Sequence, residues 1–118
     1  MVCLDPEALK SLASMQQPNK PNLLVRIVEL YKSESPQYIN EIEVGLDTTD
    51  MTAVQHGAHT LKSSSAIVGA VALADCCRKL ELAAHEDNHK ACIVLGAGID
   101  ELFAQSCAAI DLYMAMAA

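Results

Sequence analysis

The sequence predicts an all-α protein, an antiparallel up-down four-helix bundle with a short extra helix at its N-terminus. Hydrophobic residues make up 52% of the 118 residues, but aromatic residues only 3%. The core must therefore consist mainly of Ala, Leu, Ile, Val, Met and Cys, which suit closely packed helices better than a β-sandwich. Five glycines and four prolines also leave little material for turns. The length fits one domain spanning residues 1–118.

Capping signals and apolar spacing place the helices along the chain. Asp5-Pro6-Glu7 is a strong start, because a carboxylate N-cap precedes proline at the first helical position. Pro36 should kink or briefly interrupt the second helix. Gly69-Ala70 lies at a bend, and residues 86–88 resemble a turn. Residues 47–50 form a polar break that ends in Asp50, and its last residues can cap the third helix. The helices are expected at about 6–15, 23–46, 50–68, 71–85 and 90–116.

The charge of the chain excludes several classes of partner. A net charge of −7 and a pI near 4.8 argue against nucleic acid and anionic membranes. The N-terminus has no basic segment followed by an apolar one, so no signal peptide is expected. Acidic and amide side chains interrupt the apolar C-terminal stretch and argue against a membrane span. We expect a soluble, cytoplasmic monomer.

The five cysteines are interpreted as structural residues. Their number is odd and none forms a CxxC pair. In a reducing cytosol such residues behave as small hydrophobic side chains.

The third helix carries the candidate site. On a helical wheel, an apolar stripe lies about 135° from His59, which places His59 at the rim of the bundle. A neutral imidazole there offers a nucleophilic nitrogen, and Lys62 supplies an ammonium where a phosphoryl group would lie. The stripe consists of Val54, Ala58, Leu61, Ser65, Val68 and Ala72. The side chains sharing the face of His59 are Gln55, Lys62, Ser63, Ala66 and Ala70.

The local sequence adds a more specific signal. Residues 56–70 read HGAHTLKSSSAIVGA, and the next helix has Leu73, Cys77, Leu80 and Glu81 in register. This stretch closely resembles the signature of histidine phosphotransfer (HPt) domains, A-H-x-L-K-G-S-S, a small residue and G-A, then L-x-x-x-C-x-x-L-E. The resemblance extends to the opening residues 4–7 and to the number of helices, so it covers essentially the whole chain.

The resemblance implies a role for each matching residue. His59 matches the phosphorylated histidine, and Lys62 the lysine that steadies the phosphoryl oxygens. Ser63 stands where many members have Gly, which leaves open how closely a partner approaches. Ser65 and Gly69 match positions that allow tight helix packing. Glu81 matches a position near the histidine ring in relatives and is a candidate to orient the imidazole, although a salt bridge or solvation is the commoner use of such a Glu.

The resemblance also implies a function. HPt proteins lack kinase activity, and this chain has no Gly-rich phosphate-binding loop. They accept a phosphoryl group from one receiver-domain aspartate and pass it to another. No cofactor is expected on this chain, because the receiver supplies Mg²⁺. The expected docking surface contains Gln55, Ser63, Ala66 and Ala70. The chain resembles a free-standing carrier, and an excised domain of a hybrid sensor kinase would look much the same.

Two alternatives remain at this point. Residues 85–89, HEDNH, formally match the zinc-protease pattern H-E-x-x-H, but Asp87-Asn88 favours a turn and no third ligand follows. His56 and His59 are spaced i,i+3 and could also bind a metal, but no carboxylate or thiol nearby in the sequence completes such a site. The other alternative is a helical docking module that is never phosphorylated, for which the His59 and Lys62 pair would have no use.

Overall fold

The computed structural model describes residues 3–117, which form six α-helices and no strand. The predicted all-α class is confirmed. The helices are α1 (Pro6–Ser14), α2 (Leu23–Asp47), α3 (Met51–Ile67), α4 (Val71–His85), α5 (His89–Gly96) and α6 (Ile99–Ala117).

The helices pack side by side around one core, and α1 packs against α2 and α3. The most extensive packing is that of α3 against α4 and against α2. Short connections at residues 48–50, 68–70 and 86–88 make successive helices antiparallel, as in an up-down bundle. The largest fully buried side chains in the core are Leu9, Ile42, Leu61, Leu73, Leu80, Ile99 and Ile110.

Asp and Asn side chains begin four of the helices. Each accepts a hydrogen bond from a backbone N–H in the first turn, which satisfies a group that has no partner inside the helix. The expected caps at Asp5 and Asp50 are present, at 3.1 Å from Glu7 N and 3.2 Å from Ala53 N. Asn22 and Asn88 cap α2 and α5 in the same way.

The second helix continues through Pro36 without the predicted interruption. Proline cannot donate to the carbonyl of Lys32, one turn earlier. Pro36 lies on the exposed side of α2, whereas Ser35 and Ile39 face the core. Solvent can therefore replace the missing donor, and the helix continues.

The prediction of one last helix over 90–116 was wrong, because the chain forms two helices separated at residues 97–98. Gly96 and Gly98 flank this break, and glycine weakens a helix interior. Gly96 lies close to α2, since a Cβ there would lie 2.6 Å from Leu46 Cδ1 and the Leu46 side chain would have to shift. The close approach of α2 thus coincides with the break between α5 and α6.

Gly69 makes the predicted bend between α3 and α4. Its φ of +79° lies in the left-handed region, which glycine adopts without strain. Its carbonyl accepts a hydrogen bond of 2.7 Å from Asp5 N. A Cβ at this position would lie 2.3 Å from the Asp5 carbonyl oxygen. The start of α1 is therefore fastened to the turn that follows the site helix.

The cysteines occupy packed positions. Cys77 and Cys92 are fully buried, and all five are free thiols. Burial raises the pKa of the Cys77 thiol to about 12 and also raises those of Cys76, Cys92 and Cys107. Such thiols are poor nucleophiles, in agreement with the structural interpretation.

The C-terminal part of the chain is more apolar than its acidic residues suggested. Among the described residues, the stretch His89–Ala117 alone is long and apolar enough to cross a membrane by composition, with a mean hydropathy of 1.4. Here it is divided into α5 and α6, and its inner side chains Cys92, Ile99 and Ile110 are fully buried in the core. These three side chains belong to the hydrophobic core.

Candidate functional site

The third helix presents the two faces that the wheel predicted. The six residues of the apolar stripe (Val54, Ala58, Leu61, Ser65, Val68 and Ala72) are all buried. The side chain of His59 is 61% exposed. His59 therefore lies at the rim of the bundle, where another molecule can reach its ring.

His59, Lys62 and Glu81 form one hydrogen-bonded cluster. Glu81 on α4 uses both carboxylate oxygens: Oε2 lies 2.6 Å from Nδ1 of His59, and Oε1 accepts a 2.6 Å hydrogen bond from Nζ of Lys62. Glu81 is 21% exposed and Lys62 32% exposed, so both are more sheltered than the histidine. The carboxylate bridges the two residues of α3.

The ionisation of Glu81 determines which imidazole nitrogen is free. The hydrogen bond from Lys62, followed by that from His59, holds the pKa of the Glu81 carboxyl below its ordinary value, despite some desolvation. An ionised carboxylate only accepts hydrogen bonds, so Nδ1 of His59 must carry a proton. In the neutral ring Nε2 then has a free lone pair. The cluster leaves a single nucleophilic nitrogen facing outward.

Gln55 and Ser63 lie one turn to either side of His59. The Gln55 amide is 3.4 Å from Nδ1 of His85, so His85 lies along the same groove between α3 and α4. Ser63 is exposed and donates to the carbonyl of His59 at 3.2 Å, which turns its hydroxyl back onto its own helix. Ala66 is exposed as well. Small or retracted side chains thus continue along α3 from the histidine.

Ala70 does not belong to this surface, and its assignment to the docking face was wrong. It is fully buried and occupies the N-cap position of α4. The wheel continued α3 through residue 70, but the helix ends at Ile67 and the left-handed Gly69 turns the chain inward. A wheel gives a false direction beyond the end of its helix.

Ser65 has a role in the core that its small size alone did not reveal. It is fully buried, and its hydroxyl is 2.9 Å from the Tyr31 hydroxyl on α2. Burial raises the pKa of Tyr31, so the phenol stays protonated and keeps this hydrogen bond. The pair fixes α3 against α2 directly behind the site.

A second histidine–glutamate pair lies on the other side of α3. Nδ1 of His56 is 2.6 Å from Oε1 of Glu41 on α2. No pattern in the sequence indicated Glu41, because the pairing depends on how α2 packs against α3. No ion pair joins this carboxylate to a lysine within the described residues, in contrast to Glu81.

The H-E-x-x-H segment does not have the geometry of a zinc protease. His85 ends α4, His89 begins α5, and a turn with Asp87 at a φ of +56° separates them. Nε2 of His89 donates to the carbonyl of Leu46 at 3.1 Å, which makes it a structural residue. No cluster of three His, Cys, Asp or Glu suited to a metal ion occurs between residues 3 and 117.

Comparison with known proteins gives a family match over most of the chain. The family model of the Hpt domain matches residues 26–109. Histidine-containing phosphotransfer protein 1 of Arabidopsis thaliana is 28% identical over 91 residues, which cover 75% of this chain and 58% of the relative. Histidine-containing phosphotransfer protein 5 of the same plant is 27% identical over 85 residues. The chain thus spans little more than half the length of these relatives.

Solved structures share the fold. Histidine-containing phosphotransfer protein B of Pseudomonas aeruginosa superimposes with a TM-score of 0.83 at 24% identity, covering 93% of this chain and 92% of the other. A histidine-containing phosphotransfer protein from maize gives a TM-score of 0.76 at 24% identity, covering 95% and 87%. The arrangement of helices around the third helix is shared with both.

Proposed function

Because the chain belongs to the Hpt domain family, we propose that it carries a phosphoryl group on Nε2 of His59. The group comes from a phosphorylated aspartate of one receiver domain and passes to an aspartate of another. One observation carries this proposal: a carboxylate occupies Nδ1 of an exposed histidine and leaves Nε2 free. Members of the family act as phosphocarriers in two-component phosphorelays and not as kinases.

His59 and Glu81 supply what the first transfer, from the receiver aspartate to His59, requires of this chain. Nε2 attacks the phosphorus of the acyl phosphate, an N–P bond forms, and the P–O bond to the aspartyl carboxylate breaks with its electron pair. Nε2 carries no proton, so none must leave before attack. The ring becomes positively charged, and Glu81 stabilises that charge through its hydrogen bond to Nδ1–H. The return step to a second aspartate is the reverse.

Lys62 has two tasks in this scheme. It holds Glu81 ionised, as the lowered pKa of Glu81 indicates. An ammonium has three donors, of which one is directed at Glu81, and the others can bind oxygens of a phosphoryl group on the neighbouring ring. The receiver contributes Mg²⁺ and its own charged groups, so this chain needs no cofactor.

The partner docks over the exposed faces of α3 and α4 around His59. Gln55, Ser63 and Ala66 belong to this surface, and the small side chains on α3 permit close approach. Exposed Leu82 on α4 extends the surface with an apolar contact. We further propose a cytoplasmic monomer that alternates between receivers.

Substitution of the proposed acceptor tests the function directly. His59→Gln should keep the helical circular dichroism spectrum, because the side chain lies at the rim, and should abolish acid-labile labelling by a phosphorylated receiver. The matched controls are His56→Gln, His85→Gln and His89→Gln, which should still be labelled. If His59→Gln is still labelled, or if one of the control variants loses its label, the acceptor is another residue. Receiver binding without labelling of the unaltered protein would instead show a pure docking module.

A further inference from the structure

Arg78 lies beside the site without taking part in the cluster of His59, Lys62 and Glu81. It is one turn before Glu81 on α4, and residues three apart on a helix share a face. It lines a groove of about 320 Å³ with Gln55, Glu81, Leu82 and His85. It also lines a second groove, of about 330 Å³, whose wall on α3 is formed by Lys62 and Ala66. The arginine therefore shares one groove with Glu81 and the other with Lys62, the two residues that contact each other beside His59.

The resting site is electrically balanced, but the phosphorylated site is not. Lys62 and Glu81 compensate each other, and the proposed reaction starts from the neutral form of the His59 ring. Transfer adds a PO₃ unit with one negative charge to this balanced group, and a second negative charge remains if the ring then loses its Nδ1 proton. Lys62 is already shared with Glu81. The remaining donors of Lys62 can bind the new oxygens, but its single positive charge is already balanced by Glu81, so a further cation is needed to offset the added negative charge.

Arg78 is free to supply that cation because its present partner does not depend on it. Nη2 and Nε donate to Oδ1 of Asp75 at 2.9 and 3.3 Å, on the surface of α4. Lys79 contacts the other oxygen of Asp75 at 3.0 Å. If Arg78 leaves, Asp75 keeps an ion-pair partner. The Arg78 side chain is 58% exposed, and an exposed ion pair of this kind holds a side chain only weakly.

We propose that Arg78 is a phosphoryl-binding residue of this protein, which exchanges Asp75 for the phosphoryl oxygens when His59 is phosphorylated. The planar guanidinium matches two phosphoryl oxygens at once, which an ammonium cannot do. The other basic groups that line the two grooves already have partners. His85 contacts Gln55, and Lys62 donates to Glu81. This proposal rests on the proposed function, since it requires phosphorylation at His59.

The composition of the chain permits a direct spectroscopic test. Arg26 and Arg78 are the two arginines of the sequence, so the guanidinium Nε–H region of a ¹H–¹⁵N spectrum holds two signals. Arg26 lines a separate groove beside the α1–α2 connector and serves as the internal reference. His59 of the full chain is phosphorylated with phosphoramidate, a small phosphodonor, or with a phosphorylated receiver. The signal of Arg78 should shift on phosphorylation while that of Arg26 stays in place.

A transfer measurement with a matched control completes the test. Arg78→Ala should lower the equilibrium share of label on His59, relative to the receiver, by about three- to fivefold, as expected for one charge-assisted contact at an exposed site. Arg78→Lys should recover part of the loss. Lys79→Ala removes an equal charge but leaves the guanidinium of Arg78 in place, so its loss should be clearly smaller, limited to the tighter hold of Asp75 on Arg78.

The outcomes separate this proposal from the one on which it rests. If His59 takes up label but the Arg78 signal does not move, Arg78 is a surface residue only. Equal transfer by Arg78→Ala and Lys79→Ala leads to the same conclusion. If no label appears on His59 from either donor, the failure lies with the proposed function itself.

Discussion

Glu81 Oε2 lies 2.6 Å from His59 Nδ1, and the two residues are separated by 22 positions in the chain and lie on different helices. The contact depends on α3 and α4 being antiparallel and tightly packed, which is the most extensive helix pairing in the molecule. It converts a plain surface imidazole into one with a defined tautomer. Because the same carboxylate binds Lys62, the acceptor and its neighbouring cation are positioned together.

Replacement of Glu81 should therefore affect reactivity more than folding. Glu81→Ala should slow transfer from a phosphorylated receiver by about tenfold, equivalent to about 1.4 kcal/mol in the barrier, because the ring loses its orienting partner and the stabilisation of its developing charge. Glu81→Gln, which can still accept from Nδ1–H, should be less impaired. Single-turnover transfer gives the rate, and the ¹⁵N shifts of the imidazole report the tautomer.

The second histidine–glutamate pair provides the control for Glu81. Glu41→Ala removes the partner of His56 in the same way. It should leave both the transfer rate and the tautomer of His59 unchanged. An equal loss of rate in both variants would show that the carboxylates act through general charge or stability and not through the acceptor ring.

Lys62→Ala should slow transfer by about tenfold, since a charge-assisted hydrogen bond contributes about 1.5–3 kcal/mol. The substitution should change the free energy of unfolding by no more than about 1 kcal/mol. The Lys62 side chain is 32% exposed, and its hydrogen bond goes to Glu81 at the rim and not to a core residue. Rapid-quench transfer assays and urea denaturation measure the two quantities. Lys10→Ala, which removes an exposed ion pair with Glu7, is the control. A normal rate for Lys62→Ala would contradict the assigned role.

Ser63→Trp should separate partner docking from chemistry. The bulky ring would stand beside His59 on the surface that a receiver must cover, so receiver affinity should fall by tenfold or more, by about 1.4 kcal/mol. Phosphoramidate, which is small, should still label His59. Calorimetry and labelling assays give these results. Ala104→Trp places the same ring on the exposed side of α6 and should bind normally. Normal binding by Ser63→Trp would place the docking surface on another part of the bundle.

Gly69→Ala should destabilise the fold by about 1–3 kcal/mol, because a Cβ would collide with the Asp5 carbonyl and the φ of +79° disfavours alanine. Gly98→Ala is the matched control, since a Cβ there meets no atom within 4 Å. It should be neutral or slightly stabilising. Urea denaturation compares the two variants. Equal midpoints would show that the fastening of α1 to the α3–α4 turn contributes little.

Local patterns in the sequence were sufficient to predict most of the fold. The low aromatic content and the apolar spacing predicted an all-α bundle, and capping residues such as Asp5 and Asp50 marked helix starts that the structure confirms. The wheel of α3 gave the correct inner stripe and the exposed position of His59. These features depend on periodicity and on hydrogen bonds between near neighbours, both of which are visible in one dimension.

Packing between helices decided the rest. The break at residues 97–98 coincides with Gly96 meeting Leu46 of α2, and the burial of Ala70 follows from the inward turn at Gly69. No local pattern relates Gly96 to Leu46, which lie 50 positions apart in the chain. The sequence determined where most of the helices lie and that His59 is exposed. Only the tertiary structure decided that Glu81 bridges His59 and Lys62, because that contact requires two antiparallel helices to bring side chains 22 and 19 positions apart within 2.6 Å.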